Sequence, residues 1–211
     1  MNDSKTMRRL GAVAAALAAA TAFSACAPLL LGGAMVGGTM MVTDRRTSGA
    51  QIEDQAIELK ASNRAKEAVA VADRDRTHVS VTSYNRVVLL TGDVASEADK
   101  AAVEQAVGRV ENLKNIVNEL GVGSPSSLSG SSNDALLTSK VKASLVDAKD
   151  IISSAVKVVT ERGVVYLMGR VTEREATRAT DIARGVAGVM KVVRVFEVVS
   201  EAELAGQAAP K

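Results

Sequence analysis

Tryptophan is absent from the 211 residues, which hold only two tyrosines, two phenylalanines, one histidine, one cysteine and three prolines. Aromatics at 2% supply no platform on which bases or sugars could stack, so a core has to be built from Val, Leu, Ile and Ala. One histidine and one cysteine do not make a His/Cys metal site, and His78 reads as an exposed residue at the mouth of a strand. No G-x-S-x-G motif marks a nucleophile. The carboxylates Glu53, Asp54, Asp73, Asp75, Glu173 and Glu175 fall at helix starts or in charged loops, where caps and solvated surface are expected. There is no Lys/Arg run, and a formal net charge of +2 argues against a nucleic-acid surface. The expectation is a protein that binds or organises and not an enzyme: no catalytic residues, no metal, no nucleic acid and no small-molecule substrate.

What is present begins with a leader. Lys5, Arg8 and Arg9 precede an uncharged run from Leu10 to Ala25, the layout of a secretory signal peptide over residues 1–25. Its removal takes the formal net charge from +2 to zero. Cys26 follows the small residues Ser24 and Ala25, where a signal peptidase cuts, and an unpaired cysteine in an exported chain needs a reason. The sequence Phe23-Ser24-Ala25-Cys26 resembles the lipobox of bacterial lipoproteins, with Phe23 where leucine is usual. That resemblance implies diacylglycerol on the Cys26 thiol, cleavage just before it and an N-acyl chain, with no other cofactor. Several acyl chains hold a protein on a membrane stably. Ala27 in place of Asp after the cysteine favours, by resemblance to sorted lipoproteins, the outer membrane, with the chain facing the periplasm. The uncharged stretch runs on to Thr43, long enough for an uncleaved transmembrane helix of about 20 residues. Pro28 and the glycines at 32, 33, 37 and 38 argue instead for a flexible tether, placed at 26–50.

Beyond the tether the chain repeats itself. Val79 to Val94 reads VSVTSYNRVVLLTGDV and Val156 to Val171 reads VKVVTERGVVYLMGRV, an ungapped match. Alternation such as Val79-Ser80-Val81-Thr82 marks half-buried strands, and Asn85 and Gly163 supply the turn, so each copy predicts a β-hairpin. A helix start follows in each, Ser96 with Asp99 and Thr172 with Glu175, both of the capping form. The stripes Val103, Ala106, Val107, Val110 and Ala179, Ile182, Ala183, Val186 have the spacing of a buried helical face. Asn112 and Gly188 suit the left-handed conformation that ends helices, and a last strand follows. Ahead of each hairpin lies another helix, with Ile57, Ala61 and Ala65 in the first copy and Leu137, Val141 and Leu145 in the second facing inward. The fold class is α+β: two tandem α-β-β-α-β units, each a three-stranded mixed sheet with two helices on one face and the other face free to stay wet. The first unit is placed at 51–121, a Gly/Ser linker at 122–132, the second unit at 133–200 and a disordered tail at 201–211.

Two such units, with V-x-V, then V-x-L-x-G-x-V, then a helix running into Gly188-Val189, resemble tandem BON domains. Behind a lipobox and the stretch Thr43-Asp44-Arg45-Arg46, the whole is similar to the dual-BON-domain outer-membrane lipoproteins of Gram-negative bacteria, from Cys26 to about Ser200. The resemblance implies that the second domain binds anionic phospholipid through its first helix and that the protein supports outer-membrane integrity. Leu136, Leu137, Lys140 and Lys142 are the candidate contacts. If Leu137 faces the sheet, Leu136 lies about 100° round the helix, one turn below Lys140, as a helix end resting on phospholipid would present it. The alternative is a periplasmic adaptor that binds an envelope protein, such as the outer-membrane assembly machinery, through exposed strand edges. Dependence on salt and on Lys140 separates the two.

Overall fold

The computed structural model describes residues 44–123 and 128–208. The leader, Cys26 and the Gly-rich stretch up to Thr43 lie outside the described residues. Each repeat is a helix, a hairpin, a second helix and a last strand. The first has α1 (Ser48–Ala68), β1 (His78–Tyr84), β2 (Val87–Val94), α2 (Glu97–Val107), β3 (Asn115–Asn118) and β4 (Gly121–Val122). The second has α3 (Leu128–Asp147), β5 (Lys157–Glu161), β6 (Val164–Val171), α4 (Glu173–Arg184) and β7 (Lys191–Val198), with α5 (Glu201–Ala208) after it.

β2 and β6 are the central strands. β1 runs antiparallel to β2, with Val81 opposite Leu90, and β3 runs parallel to it, with Val88 opposite Ile116. β4 keeps that register, so β3 and β4 are one strand interrupted at Glu119 and Leu120. β5, β6 and β7 repeat the arrangement without interruption. Both hairpins turn on two residues with positive φ, Asn85 (49°) and Arg86 (68°) in one and Arg162 (51°) and Gly163 (73°) in the other, the backbone that matches the twist of the flanking strands. Thr172 and Glu175 form a complete capping box at α4, and Ser96 caps α2 by accepting the Asp99 N–H. α2 and α4 end at Gly108 and Gly185, whose φ is ordinary helical. The left-handed residues Asn112 and Gly188 come later and turn the chain onto the last strand.

On the helix side of each sheet Val88, Leu90 and Val94 pack with Ile57, Ala61, Val103 and Val107, and Val165, Leu167 and Val171 pack with Leu137, Val141, Ala179 and Ala183. Alanine at three of these helical positions lets the helices lie close to the sheet.

The other faces are not wet. Leu89, Tyr84, Tyr166 and Met168 form a third cluster at 4% exposure or less, backed by Val117, Val159, Val193 and Val195. The two sheets therefore stack face to face and the domains form one body. The stack is antiparallel. Asn85, on the first hairpin turn, donates to Glu197 at the far end of β7, while Arg162, on the second turn, pairs with Asp93 near the far end of β2 at 2.6 Å. Lys157 closes the side, reaching Glu58 at 3.1 Å.

Three boundaries differ from the sequence reading. Residues 44–50, placed in the tether, are held to both domains. α3 begins at Leu128, inside the segment read as linker, and α5 occupies most of the segment read as a disordered tail. The physical reason in the first case is the pairing of Arg45 with Glu175 of the second domain and of Arg46 with Asp54 of the first.

Candidate functional site

Arg45 reaches the second domain. Its guanidinium makes two bonds of 2.7 Å to the Glu175 carboxylate and a third of 3.0 Å to the Arg170 carbonyl. Arg46 reaches the first: it bonds Asp54 at 2.8 Å and Asp44 at 2.7 Å, and its guanidinium lies 4.1 Å from the Tyr84 ring centroid, within cation–π range. Paired hydrogen bonds from Arg45 hold the Glu175 carboxyl below its ordinary value against the opposing effect of burial. Burial pushes the Asp54 carboxyl up, yet donors from Arg86, Ser83, Arg46 and Asn85 outweigh it and leave it below the ordinary carboxylate value. Asp54 and Glu175 were expected as caps or solvated surface. Glu175 is a cap but a buried one, and Asp54 is 2% exposed and ties three segments together. Arg45 and Arg46 are thus a strap across both domains.

A different environment lies at the opposite end of β6, where the second hairpin turns. Leu136 on α3 is 56% exposed and Met190, just ahead of β7, is 80% exposed. Both border Gly163. Leu136 shares with Gly163 and Gly188 a groove of about 430 Å³, and the Met190 sulfur packs so closely that a Cβ on Gly163 would stand 2.9 Å from it. Lys140 lines the same groove one turn along α3 and also the adjoining one of about 540 Å³ between α3 and α4. Lys191 is exposed beside Met190. Large apolar side chains in the open, rimmed by lysines, suit a surface with an apolar interior and an anionic skin.

Of the four residues expected there, the structure brings Leu136 and Lys140 together. Leu137 is 7% exposed and belongs to the core, so it supports the groove from below and does not face a ligand. Lys142 is exposed, but six residues on from Leu136 it lies about 120° round the helix and lines neither groove. Met190 and Lys191 were missed; the signal available was a Met-Lys pair following Gly188-Val189. His78 is exposed at the start of β1, and among the described residues no three His, Cys, Asp or Glu side chains gather as a metal site would require. No described helix is long and apolar enough to cross a membrane.

The family model of the BON domain matches this chain twice, over residues 54–124 and 133–200, which is more than half of its length. The chain belongs to the BON domain family. The outer membrane lipoprotein DolP of Haemophilus influenzae is 34% identical over 91% of this chain and 98% of its own length. A 21 kDa hemolysin of Actinobacillus pleuropneumoniae is 30% identical over 74% of this chain and 79% of its own. The osmotically-inducible protein Y of Escherichia coli is 36% identical over 61% of this chain and 67% of its own. In both BON repeats here the same carboxylate secures the hairpin: Asp54 accepts the N–H groups of Asn85 and Arg86 at 2.8 Å, and Asp134 those of Arg162 and Gly163 at 2.7 and 2.8 Å. In both, the glycine of V-x-L-x-G-x-V lies where a Cβ would collide with backbone, 2.0 Å from the His78 carbonyl oxygen at Gly92 and 2.3 Å from that of Ala155 at Gly169.

Proposed function

We propose that this BON-family chain is an outer-membrane lipoprotein, held by lipid on Cys26 with its folded body in the periplasm, and that the turn end of its second domain binds anionic phospholipid in support of outer-membrane integrity. The observation that carries the lipid reading is the exposure of Leu136 and Met190 beside Gly163, with Lys140 and Lys191 exposed nearby. The naming of the Haemophilus relative as an outer membrane lipoprotein supports the location, as does the lipobox-like sequence at Cys26.

The site recognises a surface and does not enclose a molecule. The grooves beside Lys140 are shallow, so the leucine and methionine would enter the head-group boundary while the lysines meet phosphate. Each basic residue near an anionic leaflet contributes about 1 kcal/mol, and burial of a large aliphatic side chain about 1.5–3 kcal/mol.

Residues 42–211 form one compact unit, which makes co-sedimentation of residues 44–211 with vesicles the direct test. Wild-type body should pellet with vesicles containing phosphatidylglycerol and stay in solution with phosphatidylcholine alone. Leu136→Glu and Lys140→Glu should each weaken binding by roughly tenfold or more, the equivalent of about 1.4 kcal/mol, while Lys142→Glu should have a smaller effect. Salt should weaken the wild type. Binding that is absent, or equal in all variants, ends this reading and favours an adaptor for an envelope protein.

A further inference from the structure

We propose that the first domain carries a second membrane-facing surface, the outer side of α1, and that it seats against the bilayer holding the chain's own anchor. The inference rests on lipid anchoring at Cys26 and is independent of the patch on the second domain. Ile52 and Leu59 on α1 are 67% and 66% exposed. Seven residues apart, they lie within about 20° of one another round the helix, with exposed Ala56 between them. Asp54, Ile57, Ala61 and Ala65 take the opposite, buried side, so this stripe has no part in the core. Lys60 flanks it, 58% exposed on its side chain and 3.7 Å from Glu111, and Lys66, seven residues on from Leu59, closes the line of the stripe with a cation.

The occupant follows from where the chain enters the body. The tether from Ala27 to Thr43 has no charged residue, and it joins the folded unit at Asp44, three residues before the Thr47 cap of α1. Asp44 is fixed there through Arg46, so the chain enters the body beside the first turns of α1, where Ile52 stands. The second domain's patch is at the other end: Arg45 bonds Arg170 near the end of β6 whereas Met190 borders Gly163 ahead of its start, a strand of eight residues, or about 26 Å. The seventeen tether residues reach at most about 60 Å. A drawn-in tether leaves the α1 stripe as the apolar surface closest to the membrane, and an extended one leaves room for the second domain's patch to reach it.

The test uses the full lipidated chain in nanodiscs of phosphatidylethanolamine and phosphatidylglycerol, with the lipid on Cys26 verified by mass spectrometry. Ile52→Cys, Leu59→Cys, Met190→Cys and, as a water-exposed control beyond the far end of α1, Arg74→Cys are labelled singly with a polarity-sensitive fluorophore. Labels at 52 and 59 should shift to the blue, and nitroxide-bearing lipids should quench them at least twofold more than the label at 74. Equal behaviour at 52, 59 and 74 overturns the inference. Quenching at 190 alone then leaves the second-domain reading intact, and quenching at 52 and 59 without 190 supports this surface while removing that reading. Absence of lipid on Cys26 overturns the inference at its base.

Discussion

A two-residue turn with both φ angles positive leaves backbone N–H groups pointing away from the ladder, and in each repeat a carboxylate from the preceding helix accepts two of them. Asp54 does more than Asp134, because it also accepts the Ser83 hydroxyl at 2.7 Å and the Arg46 guanidinium. Asp54→Ala leaves those donors buried without an acceptor and should cost about 3–4 kcal/mol, against about 2 kcal/mol for Asp134→Ala, read as shifts in urea midpoint. The pH dependence follows. Asp44, Asp54 and Glu175 all sit below their ordinary values of 3.8, 3.8 and 4.5 in the folded chain. A depressed carboxylate contributes stability that is present above its ordinary value and lost as pH falls through the folded one. Thermal stability should thus hold at neutral pH and decline below about pH 4, with a shallower acid decline in Asp54→Asn. A decline as steep as wild type would remove Asp54 from the account. The repeat already placed Asp54 and Asp134 in register. Their burial was not legible, because a carboxylate in the first turns of a helix has the same sequence signature whether it caps, faces water or reaches a hairpin.

The strands carried more legible information than the alternation of β1 suggests. VVLLTGDV and VVYLMGRV are almost continuously apolar, the pattern of strands buried on both faces, and β2 and β6 are those strands. Reading the hairpin from its polar partner made one face wet. The repeated glycines were visible as a motif, but their reason needs the neighbouring strand in place. Gly169→Ala would put a methyl 2.3 Å from the Ala155 carbonyl oxygen, and that obstacle, just ahead of β5, is backbone with no flexible side-chain end to yield. A loss of about 3 kcal/mol is expected. Gly49→Ala is the contrast: its Cβ would meet nothing closer than 3.9 Å, so the better helix former should stabilise by up to about 1 kcal/mol. Equal effects at the two sites would show that glycine flexibility, and not the close approach of backbones, governs β6. The early start of α3 and the helix after β7 were illegible for another reason. Serine and glycine give the start of α3 little helical preference, and the eight residues of α5 are too few to hold a helix alone, so tertiary contacts decide them, as Arg170 does by pairing with Glu203 of α5 at 2.6 Å.

The whole body is two repeats stacked on their sheets with opposite strand directions, joined by an apolar layer, ion pairs at the ends and the Arg45–Arg46 strap. This arrangement can be watched with no added probe, because the only two tyrosines of the chain, Tyr84 and Tyr166, both belong to that layer and there is no tryptophan to obscure them. Burial, followed by the charge of Asp44, raises the Tyr84 hydroxyl to about 12, and burial, followed by Glu119, raises that of Tyr166 to about 12, both from 10.0. Since each phenol holds its proton more tightly in the folded body, its contribution to stability is complete below pH 10 and is lost as pH rises from there through 12. Absorbance of tyrosinate should therefore appear in one transition well above pH 10 that coincides with loss of folded signal. Arg46→Ala would remove both the cation over the Tyr84 ring and the clamp on Asp54, and it should loosen the strap. Loss of that cation alone would raise the Tyr84 hydroxyl further, so a tyrosinate transition at lower pH than wild type would report a loosened strap and not the missing charge. Titration of both tyrosines near 10 in a chain that is otherwise folded would mean that the two sheets are apart in solution. Each domain would then keep its helix-side core while exposing Leu89, Tyr166 and Met168 to water, and the second domain's patch would no longer be fixed at the end of the body opposite the Arg45–Arg46 strap.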